Sequence, residues 1–118
     1  MKTSYFAKSG KLPYAICIYV KPPKWFPNIL KYPKLAPPLD LVLKIKNKQC
    51  TKQEYIERYT NEVLNRLNPY VVYNELINLV DDPILCCYEK SNRFCHRQLV
   101  AEWLNKYGYN VRELSKEK

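Results

Sequence analysis

The chain of 118 residues is long enough for one domain and too short for two, and its hydrophobic content of 47% suffices for one core. Two glycines beside nine prolines and eleven tyrosines argue against a flexible, low-complexity chain. The apolar run at 12–20 contains a proline, lacks a small-residue cleavage site and is too short to span a bilayer. We therefore predict one folded domain over residues 1–118.

The formal net charge of +9 lies entirely in the N-terminal part of the chain. Residues 1–50 carry ten lysines, no arginine and one acidic residue, whereas the charges of the remaining residues cancel. Such a surface attracts phosphate backbones or anionic membranes without specifying either. Because lysine lacks the planar fork with which arginine binds phosphate, a solvated, solubilising surface is the simpler interpretation.

The five cysteines are odd in number and contain no Cys-x-x-Cys pair, so they do not resemble a disulfide framework. Their pattern predicts a reducing, cytoplasmic location. Free cysteines are often small buried hydrophobes, and we interpret Cys17 and Cys50 in this way. Cys86, Cys87 and Cys95 lie closer to other polar residues.

The first predicted strand is the β-branched and aromatic run at 14–20, which is typical of a strand buried on both faces. Six prolines follow within residues 21–38, and they deny regular hydrogen bonding to most of this segment. We interpret residues 21–38 as a long, basic, Pro-rich loop. Its aromatic residues favour packing on the body of the domain, and we expect the loop to cover a site.

The rest of the chain alternates helices and strands. Thr51 and Glu54 have the spacing of a capping box, and Asn68 before Pro69 is typical of a helix start. The predicted helices cover residues 39–46, 52–66, 69–80 and 97–107, and the predicted strands cover 84–88 and 109–114. This order predicts an α/β fold with a small, mainly parallel sheet of three to four strands, covering helices and a Rossmann-like layering.

The stretch at 85–97 combines a strand end, a polar loop and a helix start, and ligands of open α/β sheets bind at such edges. His96 lies three residues before Leu99, so we expect it to point inward. Successive strand residues face opposite sides, so only one of Cys86 and Cys87 can share a site with His96. Cys95, at a helix N-terminus beside His96 and arginines, is the best candidate for a reactive thiolate.

Other interpretations of this stretch stay open. Helix amides with Arg93 and Arg97 could instead hold an anion, while Glu89 accepts from a sugar or base. A phosphatase loop is disfavoured, because the Cys-x5-Arg segment at 87–93 contains a bulky tyrosine and an anionic glutamate. Zinc or another metal is permitted but not required, since the potential ligands supply three of about four positions: Cys86 or Cys87, with Cys95 and His96.

The residues Cys-Tyr-Glu-Lys at 87–90 and the run at 94–104 that begins Phe-Cys-His-Arg resemble the signature of a bacterial, archaeal and phage family, domain of unknown function 488. Residues 5–8, 34–37, 54–59 and 63–69 also resemble short members of that family. The resemblance implies a compact α/β fold and no established activity. It also implies a shared polar group, here Cys87, Glu89, Cys95, His96 and Arg97. The turn at 19–23 departs from the family, whose members have a short turn that contains arginine.

The function that the sequence favours is binding of an anionic, nucleotide-like ligand or a nucleic-acid end at the Cys-His-Arg helix start. The expected binding residues are Cys87, Arg93 and Arg97, with Lys21, Lys24 and Trp25 of the Pro-rich loop. In an enzyme, Cys95 would be the nucleophile or redox thiol and His96 the acid or base, with Glu89 as a third catalytic group. A non-catalytic nucleic-acid-binding accessory, or a structural protein pinned by these residues, are the remaining hypotheses. The oligomeric state is not predicted.

Overall fold

The computed structural model describes residues 1–89 and 94–114. Five strands form one all-parallel sheet in the order β3-β2-β4-β1-β5. The strands are β1 Lys2–Tyr5, β2 Ala15–Cys17, β3 Leu30–Lys31, β4 Ile84–Cys87 and β5 Arg112–Glu113. The α/β class, the parallel pairing and the covering helices are confirmed, and the described part of the sheet has five strands where three to four were expected.

The helices in the described ranges are α1 Phe6–Ser9, α2 Leu39–Lys46, α3 Lys52–Glu62, α4 Pro69–Leu79 and α5 His96–Lys106. The Thr51 side chain accepts from the Glu54 amide over 3.1 Å, and the Glu54 carboxylate accepts from the Thr51 amide over 2.9 Å. This capping box fixes the start of α3 where the sequence predicts it. The predicted continuation to residue 66 is a separate 3-10 turn, Leu64–Arg66. No helix of the described ranges is long and apolar enough to cross a membrane.

The sheet carries a core on each face. Ile16, Ile18 and Leu85 face the larger core, which α2, α3, α4 and α5 cover. The neighbouring strand positions point to the other face, because side chains alternate along a strand. The smaller core there contains Phe6 of α1 with Ala15, Cys17, Ile29, Ile84 and Cys86.

The segment at 21–38 contains regular structure that the predicted loop did not include. It contains β3 and a 3-10 turn, Pro33–Leu35, and Leu35 is completely buried. The Tyr32 hydroxyl donates to a Glu75 carboxylate oxygen over 2.6 Å, which ties the segment to α4. The segment therefore runs along one edge of the sheet, contributing to both cores.

Candidate functional site

The candidate site lies at the carboxyl edge of the sheet, where β1, β2 and β4 end side by side. The register pairs Tyr5 with Cys87, and beyond β2 the Ile18 amide donates to the Cys86 carbonyl over 3.1 Å. α5 begins at His96, and Cys95 occupies its N-cap position. The Cys-His-Arg residues therefore lie at the edge at which ligands of parallel α/β proteins bind.

Cys87 and Cys95 meet at this edge as a disulfide with an S–S distance of 1.99 Å. The cysteine pattern predicted no disulfide framework. That prediction is wrong for this pair, because the end of β4 and the start of α5 converge there. Cys86 points to the opposite face, beside Cys17, and burial raises the pKa of the Cys86 thiol to about 12. Alternation along β4 therefore selects Cys87 as the cysteine that shares the site with His96.

His96 is buried, and both of its ring nitrogens have defined neighbours. Nε2 lies 2.6 Å from the Ile18 carbonyl oxygen, and Nδ1 lies 3.5 Å from the Cys95 sulfur. Since a carbonyl oxygen only accepts, Nε2 carries the proton and Nδ1 keeps its lone pair. Burial of the ring, with a smaller effect of the Arg97 charge, lowers the pKa of His96 to about 4 against the opposing hydrogen bond to Ile18. The imidazole is therefore neutral at pH 7.

Arg97 is completely buried, and its guanidinium joins three elements. Nε donates to Glu113 Oε1 over 3.0 Å, and Nη2 donates to Oε2 over 3.4 Å. Nη1 donates to the Cys87 sulfur over 2.9 Å and also to the backbone carbonyl of Glu89. The positive charge of Arg97 is therefore balanced inside the fold by Glu113.

Two adjoining cavities open at this edge. The inner one, of about 140 Å³, is lined by Cys95, His96 and Glu89, by Lys46 of α2 and by five apolar or aromatic residues. The outer one, of about 470 Å³, shares Lys46 and Glu89 with it. Burial raises the pKa of Tyr19 and of Tyr55, which line the inner cavity, so both phenols remain hydrogen-bond donors at neutral pH.

The wall of these cavities differs from the one expected. α2 supplies Val42, Ile45 and Lys46, whereas Lys21 alone of the fully described 21–38 segment lines either cavity. The reason is that the Pro-rich segment is used at the sheet edge and in the smaller core. It leaves α2, the next element of the chain, beside the site.

The remaining predicted site residues are distributed over two regions. Glu89 is exposed at the cavities, and Lys21 lies at the rim of the outer one. Lys24 is exposed, and Trp25 lines a different cavity of about 370 Å³ with Lys8 and Lys11. Arg93 lies outside the described residues.

Three potential metal ligands come together in the described part of the chain. The ligand atoms of Cys87, Cys95 and His96 all lie within 4.8 Å of one another, and all three residues are buried. Cys86, the fourth residue of the set considered from the sequence, faces the smaller core instead.

Sequence reasoning missed two partners of the Cys-His-Arg group. The Ile18 carbonyl follows a strand end and carries no sequence signal. Glu113 did carry a sequence signal. It lies two residues after Val111 in a predicted strand, so the two side chains point to the same face, and Val111 is buried. A carboxylate at an inward position predicts a buried cationic partner.

The fold and the site define a small parallel α/β protein with a cysteine-histidine cluster at the carboxyl edge of its sheet. The family model DUF488-N3a, described as the active DUF488-N3 subclade, matches residues 14–108, and the chain belongs to this family. The resemblance read from the sequence is thereby confirmed. No curated protein and no solved structure matches the chain. The matched range includes Cys87, Cys95, His96 and Arg97 but not Glu113.

Proposed function

We propose that this protein is a thiol-dependent enzyme in which Cys95 supplies the reacting sulfur and His96 accepts its proton. One observation carries the proposal: the Cys95 sulfur lies 3.5 Å from the unprotonated Nδ1 of His96, in the wall of a cavity. Ile18 orients the imidazole through Nε2, as the third group of a nucleophile–base pair does. The family description, an active subclade, agrees with an enzyme but names no reaction.

The disulfide is the oxidised, inactive form in this proposal. Two molecules of a small thiol reduce it: they lose one electron and one proton each and join as a disulfide, and each protein sulfur gains one electron and one proton. Arg97 donates to the Cys87 sulfur and so stabilises its thiolate as the bond breaks. A reducing cytoplasm would keep the pair in its dithiol form.

In the dithiol form, the Cys95 proton passes to Nδ1 of His96 while the sulfur forms a bond to an electrophilic carbon of the substrate. The leaving group departs with the bonding electron pair and takes the proton from Nδ1. Water then displaces the sulfur and restores the thiol. Glu89 lines the same cavity, where its carboxylate can accept a hydrogen bond from the substrate.

The substrate class that fits is a small, anionic, nucleotide-like molecule. Lys46 lines both cavities and Lys21 lines the outer one, whose volume of about 470 Å³ is typical of a small-molecule site. The N-terminus of α5 has no side-chain cap and favours negative charge. Arg97 would position Cys87 and Glu89 rather than hold the ligand alone, because its guanidinium is already bound to the Glu113 carboxylate.

The test is the rate at which iodoacetamide alkylates each cysteine of the reduced protein, followed by peptide mass spectrometry. Cys95 should react faster than the half-buried Cys50, which is the internal control. His96→Gln places an amide donor near Nε2 but removes the Nδ1 lone pair, so it should slow Cys95 by about 100-fold and leave Cys50 unchanged. A Cys95 rate equal to that of Cys50, or unaffected by His96→Gln, would exclude this mechanism.

A second function, binding of single-stranded nucleic acid, is favoured by one separate observation. Trp25 is 51% exposed, and the Lys11 ammonium lies 5.5 Å from its ring centroid. Lys8 lines the same cavity. The whole net charge of +9 lies in residues 1–50. Exposed aromatic rings among lysines are the elements of a stacking platform for bases.

This second function is tested with a fluorescent single-stranded oligonucleotide over a range of salt concentrations. Affinity should fall steeply with salt, and Trp25→Ala should weaken binding by about 1–3 kcal/mol, the contribution of one stacked base. Trp103→Phe, on α5, is the matched aromatic control. Undetectable binding at low salt would remove this candidate.

A further inference from the structure

We propose that Cys87, Cys95 and His96 of the reduced protein form a binding site for a thiophilic divalent cation of the zinc class. This inference goes beyond the proposed function and does not require Cys95 to be catalytic. Cysteine thiolates and imidazole nitrogen are the ligands that zinc prefers. The three ligand atoms lie within 4.8 Å of one another. Two sulfurs on one tetrahedral zinc are about 3.8 Å apart, so the two sulfurs must move apart once the disulfide is reduced.

The orientation of His96 is the strongest support. Metal-binding histidines almost always donate their second ring nitrogen to a carboxylate, a backbone carbonyl or water. Nε2 of His96 has such an acceptor in the Ile18 carbonyl oxygen at 2.6 Å. Nδ1 is therefore left with its lone pair, and it faces the Cys95 sulfur. The imidazole is held in the tautomer and orientation that a metal ligand requires.

The backbone around the two cysteines also suits a shared ion. Their Cα atoms are 7.3 Å apart, beyond the usual range of about 4.4–6.8 Å for disulfide-bonded cysteines. Two thiolates on either side of one cation need a wider spacing than two bonded sulfurs. The same backbone can therefore present two thiolates to one cation after reduction.

The charges of the site balance when a divalent cation is bound. Two thiolates neutralise the cation, and Glu113 neutralises Arg97, which lies 2.9 Å from the Cys87 sulfur. Burial of charge is costly unless it is compensated, and the cation supplies the compensation.

The fourth coordination position would face the inner cavity, because Cys95 and His96 line it. Glu89 lines the same cavity and could add an oxygen ligand; otherwise water or a substrate atom completes the set. Metal binding and the disulfide exclude each other, since both use the same two sulfurs. A bound cation would also protect Cys95 from electrophiles.

The test uses the full chain, reduced with a phosphine and freed of metal, then titrated with Zn²⁺ against a chromophoric chelator and with Co²⁺ by absorption. We expect one ion per chain and the thiolate-to-cobalt charge-transfer band. Cys87→Ser and His96→Gln should each weaken binding by about 100-fold or more, because even loss of an outer partner costs about 10–100-fold. Cys50→Ser is the matched control and should leave the affinity unchanged.

The oxidised wild-type protein is a control for the titration that needs no substitution. It should bind neither ion, and reduction should restore binding. Failure of the reduced protein to bind Zn²⁺ and Co²⁺, equal binding by the oxidised protein, or loss of binding on Cys50→Ser would overturn the proposal. Rapid alkylation of Cys95 together with absent metal binding would overturn this inference alone and leave the proposed function standing.

Discussion

Arg97 donates from Nε to Glu113 Oε1 over 3.0 Å, although the arginine side chain is completely buried and that of the glutamate is 15% exposed. The pair joins the first turn of α5 to the last strand of the sheet. Through Nη1 the same guanidinium reaches Cys87 at the end of β4. The position of the Arg97 guanidinium beside Cys87 thus depends on a carboxylate of the last described strand, β5.

Replacing Glu113 by Gln should lower the free energy of unfolding by about 3–5 kcal/mol, because the charge of Arg97 then stays buried without its counter-charge. Urea denaturation measures this change. Glu102→Gln, at an exposed position of α5, is the control and should change stability by less than about 0.5 kcal/mol. If Glu113→Gln lowered the free energy of unfolding by no more than the control does, the Arg97–Glu113 pair would not stabilise the fold.

Replacing Tyr59 by Phe should reduce stability by about 1–3 kcal/mol. The Tyr59 hydroxyl is buried and donates to the Leu35 carbonyl over 2.6 Å, and phenylalanine removes this donor while keeping the ring against His96. Thermal and urea unfolding measure the effect. Tyr70→Phe, at a half-exposed tyrosine, should be neutral, and equal effects of the two substitutions would contradict the prediction.

Acid should weaken the contact between the Pro-rich segment and α4. Hydrogen bonds from Tyr32 and Lys34 lower the pKa of Glu75 in the folded protein. The unfolded chain therefore binds the proton more readily, so this stabilisation is present above about pH 4.3 and is lost as the pH falls through the lowered pKa. Glu75→Gln should make the urea midpoint less dependent on pH between about pH 6 and pH 3.

The control for this pH dependence is Glu57→Gln, because Glu57 is exposed on α3 and accepts from the uncharged Gln53. That variant should keep the wild-type pH profile. A profile of Glu75→Gln that superimposes on the wild type would mean that the Tyr32–Glu75 contact contributes nothing to acid stability.

Access to Cys95 should depend on α2. Ile45 lines the inner cavity of about 140 Å³, and Ile45→Trp should fill much of it. We expect a bulky maleimide to label Cys95 of the reduced variant at least about 10-fold more slowly, since the cavity is close-packed around the new ring. Ile77→Trp, on the exposed part of α4, is the control. Equal labelling of both variants would show that reagents reach Cys95 by another path.

Helices α2 to α5 and strands β2 and β4 follow closely from sequence, because their signals are local. The capping box at Thr51, the Asn68–Pro69 start and the buried run of β4 each lie within a few residues. β1 escaped prediction because Lys2, Thr3 and Ser4 carry no apolar pattern. The burial of Thr3 and Ser4 is made favourable by partners elsewhere, Glu113 for Thr3 and Ser9 for Ser4.

The site followed from sequence in part. The helix start at His96 and the strand end at Cys87 are local features, whereas the choice between Cys86 and Cys87 depends on the register of β4 against β1. Pairing with Glu113 and the position of α2 depend on the order of strands in the sheet. The inward position of Glu113 indicates a cationic partner, but no pattern in a single sequence identifies that partner as Arg97 or gives the order of strands that brings the two together.

The position of β1 inside the sheet has a consequence for synthesis on the ribosome. β1 precedes the other described strands in the chain, yet its neighbours in the sheet are β4 and β5, the two that are synthesised after the rest. At about 5–20 residues per second, the roughly 80 residues between β1 and β4 take on the order of 4–16 s to appear. Three of the four residues of β1, Lys2, Thr3 and Ser4, are polar, so the segment exposes little apolar surface before its partners appear. The sheet, and with it the Cys87–His96 edge, can therefore close only after β4 and β5 have emerged.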